Sequence, residues 1–105
     1  METSLSYTIN REHPDWKPIA WVDESESYEV DITEIWKTSE GKFILATATG
    51  CSCWGGEYEV EEYASLDDVV SGILNREGYV YNPSLEGAKK LVEAAKAYNE
   101  DRLSQ

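Results

Sequence analysis

The segment FILATAT, residues 43–49, is a continuous run of apolar and β-branched residues. Such residues favour strands, and a run without polar alternation is typical of a strand that is buried on both faces. The sequence therefore predicts a central strand over 43–49 with further strands on either side.

Alternating segments flank this run on both sides. Before it, apolar and polar residues alternate over 28–36, and the turn residues Ser39-Glu40-Gly41 follow. After it, residues 50–56 make a longer connection, and alternation resumes over 57–61. A two-residue period is typical of a strand with one face in the core and one in water. We expect a three-stranded antiparallel meander, with a short edge strand over 19–22, after Pro18, as a fourth.

Two helices are expected after the strands. Ser65 and Asp68 form a capping box, and apolar residues follow at helical spacing until Gly78. Ser84 caps a second helix, in which residues 85, 88, 91, 92, 95 and 98 form an inward apolar stripe. The predicted fold class is α+β, a three- to four-stranded antiparallel meander with two C-terminal helices packed on one face.

The length of 105 residues fits a single domain, 1–105. Within it, residues 1–15 are expected to be a flexible arm and residues 100–105 a frayed end. No apolar run approaches the roughly 18 residues that a membrane span requires, and no charged-then-apolar leader opens the chain. We therefore expect a cytoplasmic protein.

The net charge of −12 is concentrated in the middle of the chain. Residues 18–75 hold 13 acidic residues against only Lys37 and Lys42, a net charge of −11. A chain with this charge is repelled by nucleic acid and by anionic membranes and is attracted to basic protein surfaces. We expect no direct nucleic-acid or membrane partner.

The acidic residues form rows on the predicted strands. Residues i and i+2 of a strand project to the same side about 6.6–6.8 Å apart, and two strands that flank a third lie about 9–10 Å apart. Trp54, on a Gly-rich loop, is expected to be an exposed apolar anchor, the alternative being a lid over the sheet edge. The predicted partner-binding residues are Glu29, Asp31, Trp54, Glu57, Glu59, Glu61, Asp67 and Asp68.

This row of carboxylates predicts a mimic of nucleic acid. DNA carries one charge per 3.4 Å of axis on each strand, so carboxylates at strand spacing would engage the same Arg and Lys side chains. We expect an acidic inhibitor that occupies a basic, nucleic-acid-binding surface. The alternatives are a solvated face that only keeps the protein soluble, and a structural or regulatory subunit that self-associates, as a homodimer, through its aromatic residues.

Enzymatic and metal-binding functions have weaker support in the sequence. Flat carboxylate rows converge poorly on a divalent cation and lack the asymmetric burial that glycoside hydrolysis needs. Two thiolates on one Zn²⁺ would lie about 3.8 Å apart, and a C-x-C pair in an extended strand is separated by roughly twice that distance. We expect no catalysis, no cofactor and two reduced thiols. A metal site with Cys51, Cys53 and His13, or a vicinal disulfide, is the alternative.

The segment Thr49-Gly50-Cys51-Ser52-Cys53 follows an apolar strand and precedes the helix start Ser65-Leu66-Asp67-Asp68. Over roughly residues 36–75 this arrangement resembles small proteins encoded by bacteriophages and by their actinobacterial hosts. That group has no known activity to carry over. The resemblance implies a phage or mobile-element context, in which the protein would act in the host cytoplasm, and an inhibitor there would serve to counter host defence.

Crowded carboxylates make the first testable prediction. Like charges on a protein surface repel one another, and salt screens this repulsion over about 8–10 Å. The melting temperature should therefore rise between low salt and about 0.2 M NaCl. Differential scanning calorimetry at pH 7 measures this, and a flat or falling melting temperature would mean that the acidic residues are dispersed or paired.

Overall fold

Four strands and three helices make up the computed structural model, which describes residues 3–51, 54–75 and 84–103. The strands are β1 Lys17–Asp23, β2 Glu29–Lys37, β3 Phe43–Cys51 and β4 Glu59–Tyr63, and the helices are α1 Ser4–Glu12, α2 Leu66–Leu74 and α3 Leu85–Leu103. The strands form one antiparallel sheet in the order β1-β2-β3-β4. This is the predicted α+β meander, followed by its two C-terminal helices.

The central strand is β3, as the run 43–49 predicts. It pairs with β2 along its whole length and with β4 from Phe43 to Thr47. Residues 43–46 and Ala48 are buried, with neighbouring side chains on opposite faces of the sheet. Both faces of β3 therefore carry core residues.

Helices cover both faces of the sheet. The face under α2 and α3, here the α2–α3 face, has a core of Ala20, Ile35, Phe43, Leu45, Leu66, Val69, Ile73, Leu91, Val92 and Ala95. The opposite face, here the α1 face, has a core of Leu5, Ile9, Ile32, Trp36, Ile44, Ala46 and Ala48. The fold thus has three layers, with the sheet in the middle.

Helix α1 replaces most of the expected flexible arm. Its N-cap is Thr3, whose Oγ1 accepts a hydrogen bond from the Ser6 backbone N–H at 2.9 Å, and Ser6 Oγ accepts one from the Thr3 N–H at 2.6 Å. Leu5 and Ile9, four residues apart, are fully buried. Each contributes about 1.5–3 kcal/mol through burial. The arm prediction is wrong because the apolar α1 face stabilises a helix too short to form alone.

The caps of α2 and α3 are where the sequence predicts them. Ser65 Oγ accepts a hydrogen bond from the Asp68 N–H at 3.1 Å, and Ser84 Oγ accepts one from the Gly87 N–H at 3.1 Å. Helix α2 ends at Leu74 with Asn75 as its C-cap, and Gly78 lies outside the described residues.

Helix α3 packs through its predicted stripe from position 88 onward. Leu85, the first position of that stripe, is instead 76% exposed. The helix continues to Leu103, within the end that was expected to fray, and residues 104–105 lie outside the described part of the chain. No helix in the described ranges is long and apolar enough to cross a membrane.

Strands β1 and β4 form the two edges of the sheet, and each has features that hinder further pairing. Strand β1 is the predicted edge strand, longer than expected, and its register shifts between Pro18 and Ala20. Strand β4 has only five residues, and three of them are glutamates, Glu59, Glu61 and Glu62. Irregular register, short length and charge all hinder the pairing of an edge with another chain.

Glu24 ties the connection between β1 and β2 to the start of α3. The Ser84 N–H donates to Glu24 Oε1 at 2.8 Å, and the Ser84 hydroxyl donates to Oε2. A Cβ on residue 87 would lie 2.6 Å from Oε1, so glycine at that position leaves room for the carboxylate. The negative charge also interacts favourably with the N-terminal end of the helix dipole.

Replacing Glu24 should therefore destabilise the fold. We expect Glu24→Ala to lower the free energy of unfolding by about 1 kcal/mol, the usual net contribution of a hydrogen bond, because the bonds from Ser84 to the carboxylate are lost. Glu26→Ala is the matched control, since that neighbouring carboxylate makes no side-chain hydrogen bond within the described residues. Urea unfolding of both variants measures the difference, and equal stabilities would show that the hydrogen bonds between Glu24 and Ser84 contribute nothing.

Candidate acidic binding surface

Four of the predicted binding residues share one face of the sheet. Asp31 lies opposite Thr49 of β3, and Glu59 lies opposite Thr47. Because cross-strand partners project to the same side, Glu29, Asp31, Glu59 and Glu61 all lie on the α2–α3 face. Strand β3 separates the two rows, as the sequence analysis assumed. The offset between Asp31 and Glu59 along the strands puts their Cα atoms about 12 Å apart.

The expected division into an apolar face and a water-facing acidic face is wrong. Glu61 lies opposite Leu45, whose side chain belongs to the core under α2 and α3, and α1 covers the other face. Glu29, Glu59 and Glu61 are exposed, and Asp31 is half-buried. The acidic rows therefore occupy the margins of a face that the helices partly cover.

The remaining predicted acids extend this margin in different directions. Glu57 is exposed just before β4. Asp67 and Asp68 are exposed in the first turn of α2, beyond the end of β4 where Tyr63 pairs with Phe43. Glu29 pairs with Cys51 at the other end of β3, about 26 Å away along the strand. The structure thus spreads these carboxylates along the length of the sheet.

Trp54 is not the exposed anchor that we expected. Its ring is half-buried against the α1-face core, and its Nε1 donates a hydrogen bond to the Glu57 backbone oxygen at 2.6 Å. Trp54 therefore packs on the α1 face of the sheet. Among the described residues, the aromatic side chains with large exposed fractions are instead Tyr28 at 78%, Tyr7 at 69% and Trp21 at 48%.

A denser group of carboxylates lies on the hairpin formed by β1 and β2. Its members, here the hairpin acids, are Asp23, Glu24, Glu26, Glu29 and Asp31. The Asp31 N–H donates to Ser25 Oγ at 2.9 Å, and the Glu24 N–H donates to the Asp31 backbone oxygen at 2.7 Å. Of these five, only Glu29 and Asp31 were predicted from the sequence to bind a partner. The missed signal was five acids within residues 23–31 with no intervening Lys or Arg.

Burial and crowding raise the pKa of Asp31. Burial of the carboxyl group is the largest cause, followed by the negative charges of Glu24, Asp23 and Glu29. Both effects disfavour the ionised form. Within the described ranges the structure contains one ion pair, Lys42 with Glu62 at 3.7 Å, in which both side chains are about half exposed. Such surface pairs contribute at most about 1 kcal/mol.

The cysteine segment differs from the expectation of two free thiols. Cys51, at the end of β3, is disulfide-bonded, and Cys53 lies outside the described residues. His13 stacks on Trp16 with ring centroids 3.7 Å apart. In the described part of the chain no three His, Cys, Asp or Glu side chains are grouped so that they could hold a metal ion.

The raised pKa of Asp31 predicts how stability depends on pH. A carboxyl whose pKa is higher in the folded state stabilises the fold at low pH, and this contribution is lost as pH rises through that pKa. The melting temperature should therefore rise as pH falls from 7 towards 5. Asp31→Asn should make this rise smaller, as measured by calorimetry across the range. If Asp31→Asn left the dependence of the melting temperature on pH unchanged, Asp31 would not be a source of that dependence.

Comparison with known proteins identifies no relative of the chain. No protein family, curated protein or solved structure matches the chain. The function of the chain is therefore inferred from its own charge and geometry.

Proposed function

We propose that the chain is a small, non-catalytic acidic protein that inhibits a nucleic-acid-binding protein by occupying its basic surface. The observation that supports this proposal is that carboxylates line the margins of one face of the sheet, from the hairpin acids to the exposed row on β4. Residues 18–75 alone carry a net charge of −11, from 13 acidic residues and two lysines.

The spacing of the carboxylates suits a surface that normally holds phosphates. Neighbouring carboxylates in a row, such as Glu59 and Glu61, are about 6.6–6.8 Å apart. DNA carries one phosphate per 3.4 Å of axis on each strand, so a surface that binds it presents closely and regularly spaced Arg and Lys side chains. A regular row of carboxylates would offer such side chains a series of negative charges to contact.

The resemblance to phage and actinobacterial proteins suggests the kind of partner. An inhibitor encoded by a phage or mobile element would act in the host cytoplasm. Its most useful target would be a defence protein with a basic nucleic-acid channel, such as a nuclease. Long-range attraction between opposite charges would speed the encounter, and added salt would slow it.

Self-association through aromatic residues is the second candidate function. The exposed rings of Tyr7, Trp21 and Tyr28 favour it, because aromatic residues are enriched in protein interfaces. In that case the carboxylates would only keep the protein soluble. Light scattering over a range of protein concentrations would reveal a homodimer.

Competition with nucleic acid tests the inhibitor proposal. A host protein captured on the immobilised chain is titrated with labelled DNA or RNA, with and without the free chain. We expect mutually exclusive binding, and we expect the affinity for the chain to weaken steeply as salt increases, because exposed ion pairs are screened. Simultaneous binding of both ligands would eliminate the inhibitor proposal.

Charge reversal locates the surface that the partner contacts. The test variant is Glu57→Lys with Glu59→Lys, which spares Glu61 because that carboxylate accepts a hydrogen bond from the Tyr63 hydroxyl. The matched control is Glu86→Lys with Glu93→Lys on exposed positions of α3. We expect the first pair to lower affinity for the partner at least tenfold and the second to leave it within about twofold. Equal effects of the two pairs would mean that only net charge matters.

A further inference from the structure

A carboxyl group is buried beneath helix α1. Glu34 lies on β2 between the core residues Ile32 and Trp36, and its side chain is fully buried. Trp36 Nε1 donates to Glu34 Oε1 at 2.8 Å, and the Thr3 hydroxyl donates to Oε2 at 2.5 Å. Because Thr3 is the N-cap of α1, this carboxyl group joins the start of the helix to the sheet.

The protonated form of Glu34 fits this site without losing a hydrogen bond. A protonated Oε2 would donate to Thr3 Oγ1, which also accepts from the Ser6 N–H. The Thr3 hydroxyl would then donate to Ser6 Oγ, 3.2 Å away. Each group keeps a partner, so the neutral carboxyl is fully accommodated.

The ionised form is less well accommodated. The pKa of Glu34 is raised, with burial as the largest cause, although the hydrogen bonds from Thr3 and Trp36 lower it. The charge of Asp23 on β1 raises it further, and the amino terminus of the chain lowers it. The residues directly opposite Glu34, Trp21 on β1 and Ala46 on β3, carry no charge that could offset a buried carboxylate.

We propose that α1 is a pH-gated cover of the sheet, which ionisation of Glu34 releases so that the apolar α1 face becomes accessible. With the helix detached, the carboxylate reaches water, and Leu5, Ile9 and the sheet residues beneath them lose their packing. This switch lies on the face opposite the acidic rows and does not depend on the partner proposed above.

The second hydrogen bond that holds α1 does not change over the same pH range. The Tyr58 hydroxyl donates to Glu12 Oε1 at 2.5 Å near the other end of the helix. Burial and the bond to Glu12 raise the pKa of Tyr58 to about 12, so this phenol keeps its proton between pH 5 and pH 9. The contact between Glu34 and Thr3 is therefore the attachment of α1 that we expect to be lost as pH rises.

Hydrogen exchange of the full chain between pH 5 and pH 9 tests the switch. Protection factors, corrected for the intrinsic pH dependence of exchange, are compared between amides of α1 and amides of β3. Each pKa unit between the docked and released states corresponds to a tenfold change in the opening equilibrium. We expect α1 protection to fall by up to about tenfold per pH unit until Glu34 is ionised, while β3 protection falls less. Protection of α1 that does not change with pH, or that falls in parallel with β3, would overturn the proposal.

Three variants assign the effect to its residue. Glu34→Gln mimics the protonated carboxyl and should make α1 protection independent of pH. Glu12→Gln and His13→Asn change ionisable side chains at the other end of the helix, and both should keep the wild-type slope. A slope that persists in Glu34→Gln, or disappears in His13→Asn, would refute the assignment to Glu34. If Glu34→Gln does not fold, the comparison of α1 with β3 in the wild-type chain still decides the proposal.

Discussion

Burial of β2 and β3 on both faces is the constraint on which the rest of the structure depends. Strands with core residues on alternate sides leave no face for water, so helices must cover both. Polar residues of β2 are buried as a result. Glu34 is held by Thr3 and Trp36, whereas Thr33 Oγ1 has no hydrogen-bond partner within the described residues. An unsatisfied buried hydroxyl costs about 1–3 kcal/mol, which the surrounding apolar packing must exceed.

Periodicity in the sequence predicted the parts of the fold that depend on local pattern. The run 43–49, the turn with Gly41 and the cap at Ser65 each correspond to a feature of the structure. Helix α1 was missed because only Leu5 and Ile9 mark its apolar side, and its stability comes from a sheet face distant in sequence. Local pattern cannot show that such a face exists.

The candidate site was predicted less well, for a related reason. The alternation of Glu29 and Asp31 with apolar neighbours correctly placed both carboxylates on one side of β2. It could not show that this side is the helix-covered one, since the coverage is decided by how α2 and α3 pack. Trp54 was misjudged in the same way, because burial of a loop residue depends on the core it reaches. Burial of Glu34 could have been suspected from the sequence, because this acidic residue lies between the apolar positions 32 and 36 on the same side of the strand.

Confinement of the acidic residues to margins also shapes the surface that a partner would meet. With both broad faces covered, the hairpin acids and the β4 row form a rim rather than a plane. A basic channel or groove that surrounds this rim could contact both rows at once.

The glutamates on β4 have a further consequence for handling the protein in solution. Glu59, Glu61 and Glu62 occupy a strand with a neighbour on one side only, so their charge keeps two molecules from joining edge to edge. Near the isoelectric point of about 4.3 the net charge of the chain vanishes, and with it the long-range repulsion between molecules. Acidification therefore relieves repulsion within each molecule and, at the same time, removes repulsion between molecules. Thermal stability and colloidal stability should move in opposite directions as the pH falls.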